Sequence, residues 1–374
     1  MKKKIISLLV IITLLCSTSL TYADTVNFKR QTGIRLKNSE EVAEYVERVI
    51  GEEKINNNII EKKNYYYVEG AGCDIIVPKD GQNHISIQSE VCDISMSLPD
   101  EVKKVKSIVS EKGTAIYNCV DEDMSVAVQA ISDKQMGVTI DSVRTMVTIE
   151  NATAPRIYEF DFYLPDGCRL LKSEDYHGNN SDAGYIYIVN DNNRMFDVES
   201  GTYMPELLGV IEPAWAIDAN GNRLDIRHEI SGKTLKQIVE FNDNSVFPIV
   251  ANATTSTKPK NEKIETVLSE SFKLNNATLG LPGLGASAAT AILTEKAKEK
   301  ATSIIVAKLG SKAIPIVNWA LFGLSAYCTY QGYKGYTYTK VSIVCDLWAI
   351  YKHQGGRWVR GFGYKVNLSV EGSN

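Results

Sequence analysis

The chain has 374 residues and a formal net charge of −4, and the charge is unevenly placed. From Ala291 onward there are 11 Lys or Arg against 4 Asp or Glu, a net +7; residues 24–290 carry −14, so the chain without its first 23 residues and their three lysines stands at −7. In an exported chain this balance excludes nucleic acid and points the basic end toward an anionic surface (membrane headgroups or wall polymers) or a protein partner, the acidic body itself included. Ordinary solvated charge on a soluble helix would give the same numbers.

Export is expected from the first residues. Met1 to Lys4 is a charged n-region, Ile5 to Leu15 is an apolar stretch, and Thr21-Tyr22-Ala23 places small residues at the −3 and −1 positions of a cleavage site. Residues 1–23 read as a secretory signal peptide cleaved near Ala23, which makes the protein secreted or cell-surface-associated. Leu15 precedes Cys16 where a lipoprotein needs a small residue. The six later cysteines, Cys73, Cys92, Cys119, Cys168, Cys328 and Cys345, would then meet an oxidising compartment. Cys73 and Cys92 begin the matching runs CDIIVP and CDISMSLP, so they are expected to bridge. Cys328 and Cys345 stand together near the C-terminus, and Cys119 with Cys168 follows by elimination. Six free buried thiols is the other reading.

An N-cap signal at Asn38-Ser39-Glu40-Glu41 and apolar Val42, Tyr45, Val46, Val49 and Ile50 at helical spacing predict one amphipathic helix over about 39–54. From Tyr65 the apolar period becomes two, with turn signals at Lys79-Asp-Gly, Glu111-Lys-Gly, Pro165-Asp-Gly and Asp191-Asn-Asn. Between them lie TAIYNC, SVAVQAI, RIYEFDFYLP and GYIYIV. Many short strands predict an antiparallel sandwich-like body over 63–252. Asn220-Gly221 and Ser231-Gly232-Lys233 are hairpin turns within PAWAIDANGNRLDIRHEISGKTLKQIVEFNDNSVFPIVAN, the densest cluster of signals in the chain.

That cluster carries a resemblance. Trp215, Ala216, Asp218, Ala219 and Gly221, then Gly232, Thr234, Leu235, Gln237 and Val239, then Phe247-Pro248-Ile249-Val250-Ala251 resemble a motif of secreted Gram-positive bacterial proteins. Those proteins have a β-rich body and a variable, often hydrophobic C-terminal region. Their pattern closes in Ala-Asp-Pro, whereas here Asn252 and Ala253 follow Ala251. The resemblance implies compartment and architecture, and no activity.

Residues 253–278 begin with a Thr-rich polar run and read as a linker. NEKIETVLSESFKL fits helix or strand. Residues 279–374 read as a basic, Gly/Ala- and aromatic-rich helical domain. Ala286 to Leu309 is an Ala-rich helix closed by Gly310, 313–328 is apolar nearly all round, and Lys340 to Lys352 is a third helix. The 313–328 segment would be about 24 Å long as a helix, short of a bilayer core of about 30 Å. It is either a buried core helix or a membrane-active segment.

The expected fold class is therefore multidomain α+β, with a helical segment at 24–62, the β-rich body, a linker and a small α-helical C-terminal domain. No catalytic, metal or cofactor constellation is visible: His84, His177, His228 and His353 are scattered without zinc-ligand spacing. The residues expected to meet an anionic surface are Lys308, Lys312, Lys334, Lys340, Trp348, Arg357, Trp358 and Arg360. The function expected is a non-enzymatic interaction protein. The first alternative is a bacteriocin-like membrane-active effector masked by its acidic body, and the weaker one is an extracellular hydrolase.

Overall fold

The computed structural model describes residues 36, 38–51, 54–135, 137–177, 182–197, 202–242, 244–284, 286–310 and 336–374. The expected signal peptide, Cys328, Lys312, Lys334 and the apolar segment 313–328 lie outside the described residues.

Helix α1 (Ser39–Ile50) begins where expected, with the Asn38 side chain accepting the Glu41 N–H at 2.9 Å, and ends at Gly51. In chain order the strands are β1 (Ile59–Glu61), β2 (Tyr65–Val68), β3 (Cys73–Pro78), β4 (Ile85–Ser89), β5 (Asp93–Met96), β6 (Ile108–Val109), β7 (Thr114–Cys119), β8 (Met124–Gln135), β9 (Val138–Ile149), β10 (Ile157–Tyr163) and β11 (Cys168–Lys172). After the short α2 (Ser173–His177) come β12 (Ile186–Asp197), β13 (Thr202–Ile211), β14 (Trp215–Ile217), β15 (Arg223–Leu224), β16 (Ile226–Ser231), β17 (Thr234–Val239) and β18 (Ile249–Thr257). The remainder is β19 (Glu262–Asn275), α3 (Ala286–Leu309), β20 (Tyr338–Gln354) and β21 (Arg357–Ser373).

Two antiparallel sheets make the body. One runs β1-β2-β3-β4-β5-β10-β17-β16; the other runs β11-β12-β13-β18-β9-β8-β7-β6, with β14 also on β18. They share one core: Ile75, Ile85, Ile94, Phe160 and Leu235 from the first meet Val126, Val143, Val147, Ile149 and Ala251 from the second. Strand β10 alternates strictly, burying Tyr158, Phe160 and Phe162 and exposing the residues between. That alternation is what a strand with one wet face requires.

The second sheet is apolar on its outer face as well. Val42, Tyr45, Val46 and Ile50 of α1 cover Ile116, Ala127, Met146 and Val250, with Trp215 packed alongside. The Tyr45 hydroxyl donates to the Pro248 carbonyl at 3.0 Å, tying α1 to the resemblance motif. The Asn220-Gly221 hairpin forms as β14–β15, but its loop spans Asp218–Asn222 because the Asp218 carboxylate accepts the N–H groups of Asn220 and Asn222 at 2.9 and 2.8 Å. The second hairpin closes through Gly232-Lys233, with Ser231 opposite Thr234.

The C-terminal part differs from expectation. Residues 253–257, read as linker, complete β18 and are fully buried between β9 and β13, where β-branched Thr suits a pleated surface. The third predicted helix is instead β20, paired along its length with β21 and with β19. Its apolar residues recur every second position, Val341, Ile343, Cys345 and Ala349 all facing inward, which fits a strand and not a helix. Helix α3 forms as predicted and lies on this three-stranded sheet through Ala289, Leu293, Ala297, Ala301 and Ile305, spaced by four. The region is thus a sheet with one described helix rather than an all-helical domain.

Neither expected bridge within the body is present. Cys73, Cys92, Cys119, Cys168 and Cys345 are free thiols. Cys73 faces Ser89 across the β3–β4 pair, and Ser89 then turns the chain so that Cys92 lies beyond the ladder and not opposite Cys73.

One core residue makes a testable stability claim. His228, half-buried, sits on the core-facing side of β16 opposite Gln237, with both of its ring nitrogens shut off from water and no well-formed hydrogen bond to either. Burial pushes its pKa down from 6.5 to about 4, with Gln237 opposing. The unfolded chain therefore binds the proton first on acidification, so stability is full above pH 6.5 and falls toward pH 4. The loss is on the order of 2–3 kcal/mol. Urea midpoints for His228→Leu should lack that component of the decline between pH 6.5 and 4, whereas an unchanged pH profile would contradict the assignment.

Candidate functional site

The most elaborate arrangement of polar and aromatic groups lies where the tip of the β20–β21 hairpin docks on the outer face of the second sheet. The tip is Gly355-Gly356, with Gln354 opposite Arg357 and φ of 61° and 75° at the two glycines. Positive φ at both central residues is the condition for a tight primed hairpin turn, and glycine meets it without strain. A Cβ on Gly356 would also approach the Tyr185 hydroxyl to 3.0 Å.

Asp182 receives the tip. Its Oδ1 accepts the Gly356 N–H at 2.9 Å, and its Oδ2 accepts the Tyr187 hydroxyl at 2.5 Å and faces His353 Nδ1 at 3.3 Å. Its backbone carbonyl accepts the Ser173 hydroxyl at 2.5 Å, so the first residue of α2 anchors Asp182. Burial raises the Asp182 pKa, but Tyr187, the Gly356 N–H and His353 outweigh it and keep the carboxyl below its ordinary value. Burial lowers the His353 pKa more than Asp182 raises it. The pair is thus a carboxylate with a neutral imidazole, and the shared hydrogen bond assigns the ring proton to Nδ1. Burial, reinforced by the Asp182 hydrogen bond, pushes the Tyr187 hydroxyl far above its usual range.

Aromatic rings close the site. His353 packs edge-on to Trp358 at 5.3 Å and lies 4.8 Å from Tyr185, while Tyr176 meets Tyr187 at 5.3 Å. Trp358 donates its backbone N–H to Gln135 at 3.2 Å and its indole N–H to Ser256 at 3.4 Å. Tyr351 and Trp358 join Ile140, Tyr187, Val189, Leu207 and Val210 in one apolar cluster. With the imidazole walled in by rings, this His–Asp pair is built to hold two elements together rather than to meet a substrate.

The residues expected to meet an anionic surface separate into groups. Lys308 on α3 and Arg357 at the hairpin are exposed. Arg360 is exposed and 4.0 Å from Glu262, and Lys340 pairs with Glu371 at 2.6 Å. Trp348 is half-buried. Trp358 is 3% exposed and is a docking residue, which corrects its assignment to the surface set. The sequence reading missed Asp182, Tyr187 and Phe362. The run His353-Gln-Gly-Gly-Arg-Trp358, a Gly-Gly pair between alternating apolar residues, was the available hairpin signal.

A shallow acidic depression of about 360 Å³ opens elsewhere on the body, lined by Gly70 to Asp74, Gln88, Ser89, Glu90 and Asp93. Among the described residues, no three His, Cys, Asp or Glu side chains gather to hold a metal ion. No protein-family model matches the chain, and no curated protein matches it.

Replacing Asp182 by Ala strands the Gly356 N–H, the Tyr187 hydroxyl and His353 Nδ1. Leaving each such group unpartnered costs about 1–3 kcal/mol, so with three stranded the tip should open at least ten times more often. Trypsin cleavage after Arg357, timed by mass spectrometry, should accelerate by that factor in Asp182→Ala, and equal rates would refute the docking role.

Proposed function

We propose that the chain is a secreted or cell-surface-associated interaction protein of non-enzymatic type whose basic C-terminal part contacts an anionic surface. The observation that carries this reading is on β21. Phe362, 67% exposed, shares a face of β21 with the exposed Arg360 two residues before it, while Arg357 is exposed at the start of the strand on the other face. An exposed aromatic ring two residues from a guanidinium on the same strand face, with a second arginine at the hairpin tip, suits an interface with anionic headgroups or wall polymers, each cation near such a surface contributing about 1 kcal/mol. Lys308 and the exposed lysines of α3 extend the positive character.

The second reading, a membrane-active effector masked by its body, draws support from the Asp182 dock, where an acidic body grips the tip of the basic hairpin. In that reading α3 and the apolar sequence 313–328 are the membrane-active part. No helix among the described residues is long and apolar enough to cross a membrane.

Co-sedimentation of the full chain with phosphatidylglycerol and phosphatidylcholine vesicles at low and high salt tests both. Binding should favour the anionic vesicles, fall with salt, and weaken about 30-fold in Arg357→Gln/Arg360→Gln, as the loss of about 2 kcal/mol implies. Dye leakage that appears only in Asp182→Ala would favour the masked effector. Absence of salt-sensitive binding to these vesicles and to anionic wall polymer would refute the surface-contact reading.

A further inference from the structure

Three of the free thiols converge on one place. Cys73 opens β3 opposite Ser89, and the Ser89 hydroxyl both donates to the Cys92 carbonyl at 2.8 Å and accepts its N–H at 3.1 Å, which fixes the turn that carries Cys92. On the other sheet, Cys168 opens β11 opposite Asn190, and Asn190 stands opposite Glu206 on β13. Glu206 accepts the Lys258 ammonium at 3.0 Å in an ion pair whose lysine side chain is only 4% exposed. Lys258 directly follows β18, and Lys260, two residues on, pairs with Glu90 in the turn just before Cys92. The short run 258–260 therefore ties the Cys92 turn to the rung that begins at Cys168.

Electrostatics gives the same adjacency. Burial pushes the Cys92 thiol up to about 12, with Cys168 the foremost charge acting on it, followed by Asp93, Glu206 and Lys258, while Cys92 is the weakest of the groups acting on Cys73. Cys168 is raised by burial too, with Lys233 opposing. All three cysteines contact the shared core of the body.

We propose that Cys92 and Cys168 are a redox pair whose disulfide clips the two sheets of the body together across the Lys258–Glu206 ion pair. The oxidant is a disulfide, such as oxidised glutathione or a thiol–disulfide oxidoreductase in its oxidised form. One cysteine thiolate attacks that disulfide and displaces a thiolate, forming a mixed disulfide. The second cysteine thiolate then displaces the remaining oxidant sulfur. The net change forms one S–S bond, moves two electrons and two protons to the oxidant, and releases two oxidant thiols. Cys168 is buried and Cys92 half-buried, and burial raises the pKa of both so that they are held protonated in the folded chain and attack slowly there. The bond forms while the sheets are still closing, and once formed the same burial shields it. The structure holds the reduced state.

The test is to refold the urea-unfolded full chain in a mixture of reduced and oxidised glutathione, trap free thiols, and map linked peptides by mass spectrometry. A Cys92–Cys168 peptide should dominate. The chain folded first under reducing conditions and then given the same mixture should acquire the link at least ten times more slowly. The link closes a long loop, so the oxidised protein should melt about 10 °C above the reduced one. Cys92→Ser and Cys168→Ser should each abolish that difference, while Cys73→Ser leaves it. A dominant Cys73–Cys92 or Cys119–Cys168 peptide, or free Cys92 and Cys168 after refolding in the mixture, would overturn the proposal.

Discussion

The second sheet of the body is apolar on both faces, and the rest of the molecule is arranged around that fact. Its inner face is satisfied by the first sheet, as in any sandwich. Its outer face is too wide for one small element to cover. Helix α1 takes the half built from β7, β8, β9 and β18, and the β20–β21 tip takes the half built from β12 and β13. The N-terminal helix and the C-terminal hairpin, which look like appendages in the sequence, are two parts of one covering layer.

Each cover is fastened by a buried carboxylate with several donors. Glu47 of α1 is 2% exposed and accepts the hydroxyls of Ser110 and Thr114, both at 2.6 Å. Asp182 serves the hairpin tip in the same way, and Asp141 holds the two sheets together by accepting the Gly72 N–H at 2.6 Å and the Ser132 hydroxyl. Beside it, a Cβ on Gly70 would fall 2.2 Å from the Cys73 carbonyl, so only glycine lets the loop approach this closely. A buried carboxylate is tolerated only when its lone pairs are met. Apolar area brings the layers together, and these carboxylates set where each cover sits.

Much of the fold was legible because it rests on local rules. The α1 cap at Asn38, the alternation in β10 and the Gly232-Lys233 turn all follow from short-range stereochemistry. Residues 253–257 were not legible, because a polar Thr-rich run becomes a central strand only when neighbours from 138–149 and 202–211 flank it. Residues 338–354 carry a period of two, but a mixed aromatic and β-branched stretch that follows an Ala-rich helix suits a helical hairpin equally well until β19 and β21 flank it. The hairpin dock was hidden more deeply. Asp182 lies 171 residues from His353, and no spacing rule connects them. The exposed cations were readable by composition alone, but which of the aromatic residues remain in water was not.

The position of β18 has a consequence for how the molecule comes into being. It lies between β9 and β13, pairing with Ser142 to Ile149 on one side and with Gly209 to Ile211 on the other. The central pairing thus joins segments about a hundred residues apart, and such contacts form slowly because the intervening chain must first be confined. Until β18 is available, β9 has an open hydrogen-bonding edge and the shared core lacks Ile249 and Ala251. The body therefore depends on chain length: an N-terminal fragment ending before β18 leaves the β9 edge open, the kind of surface on which chains aggregate.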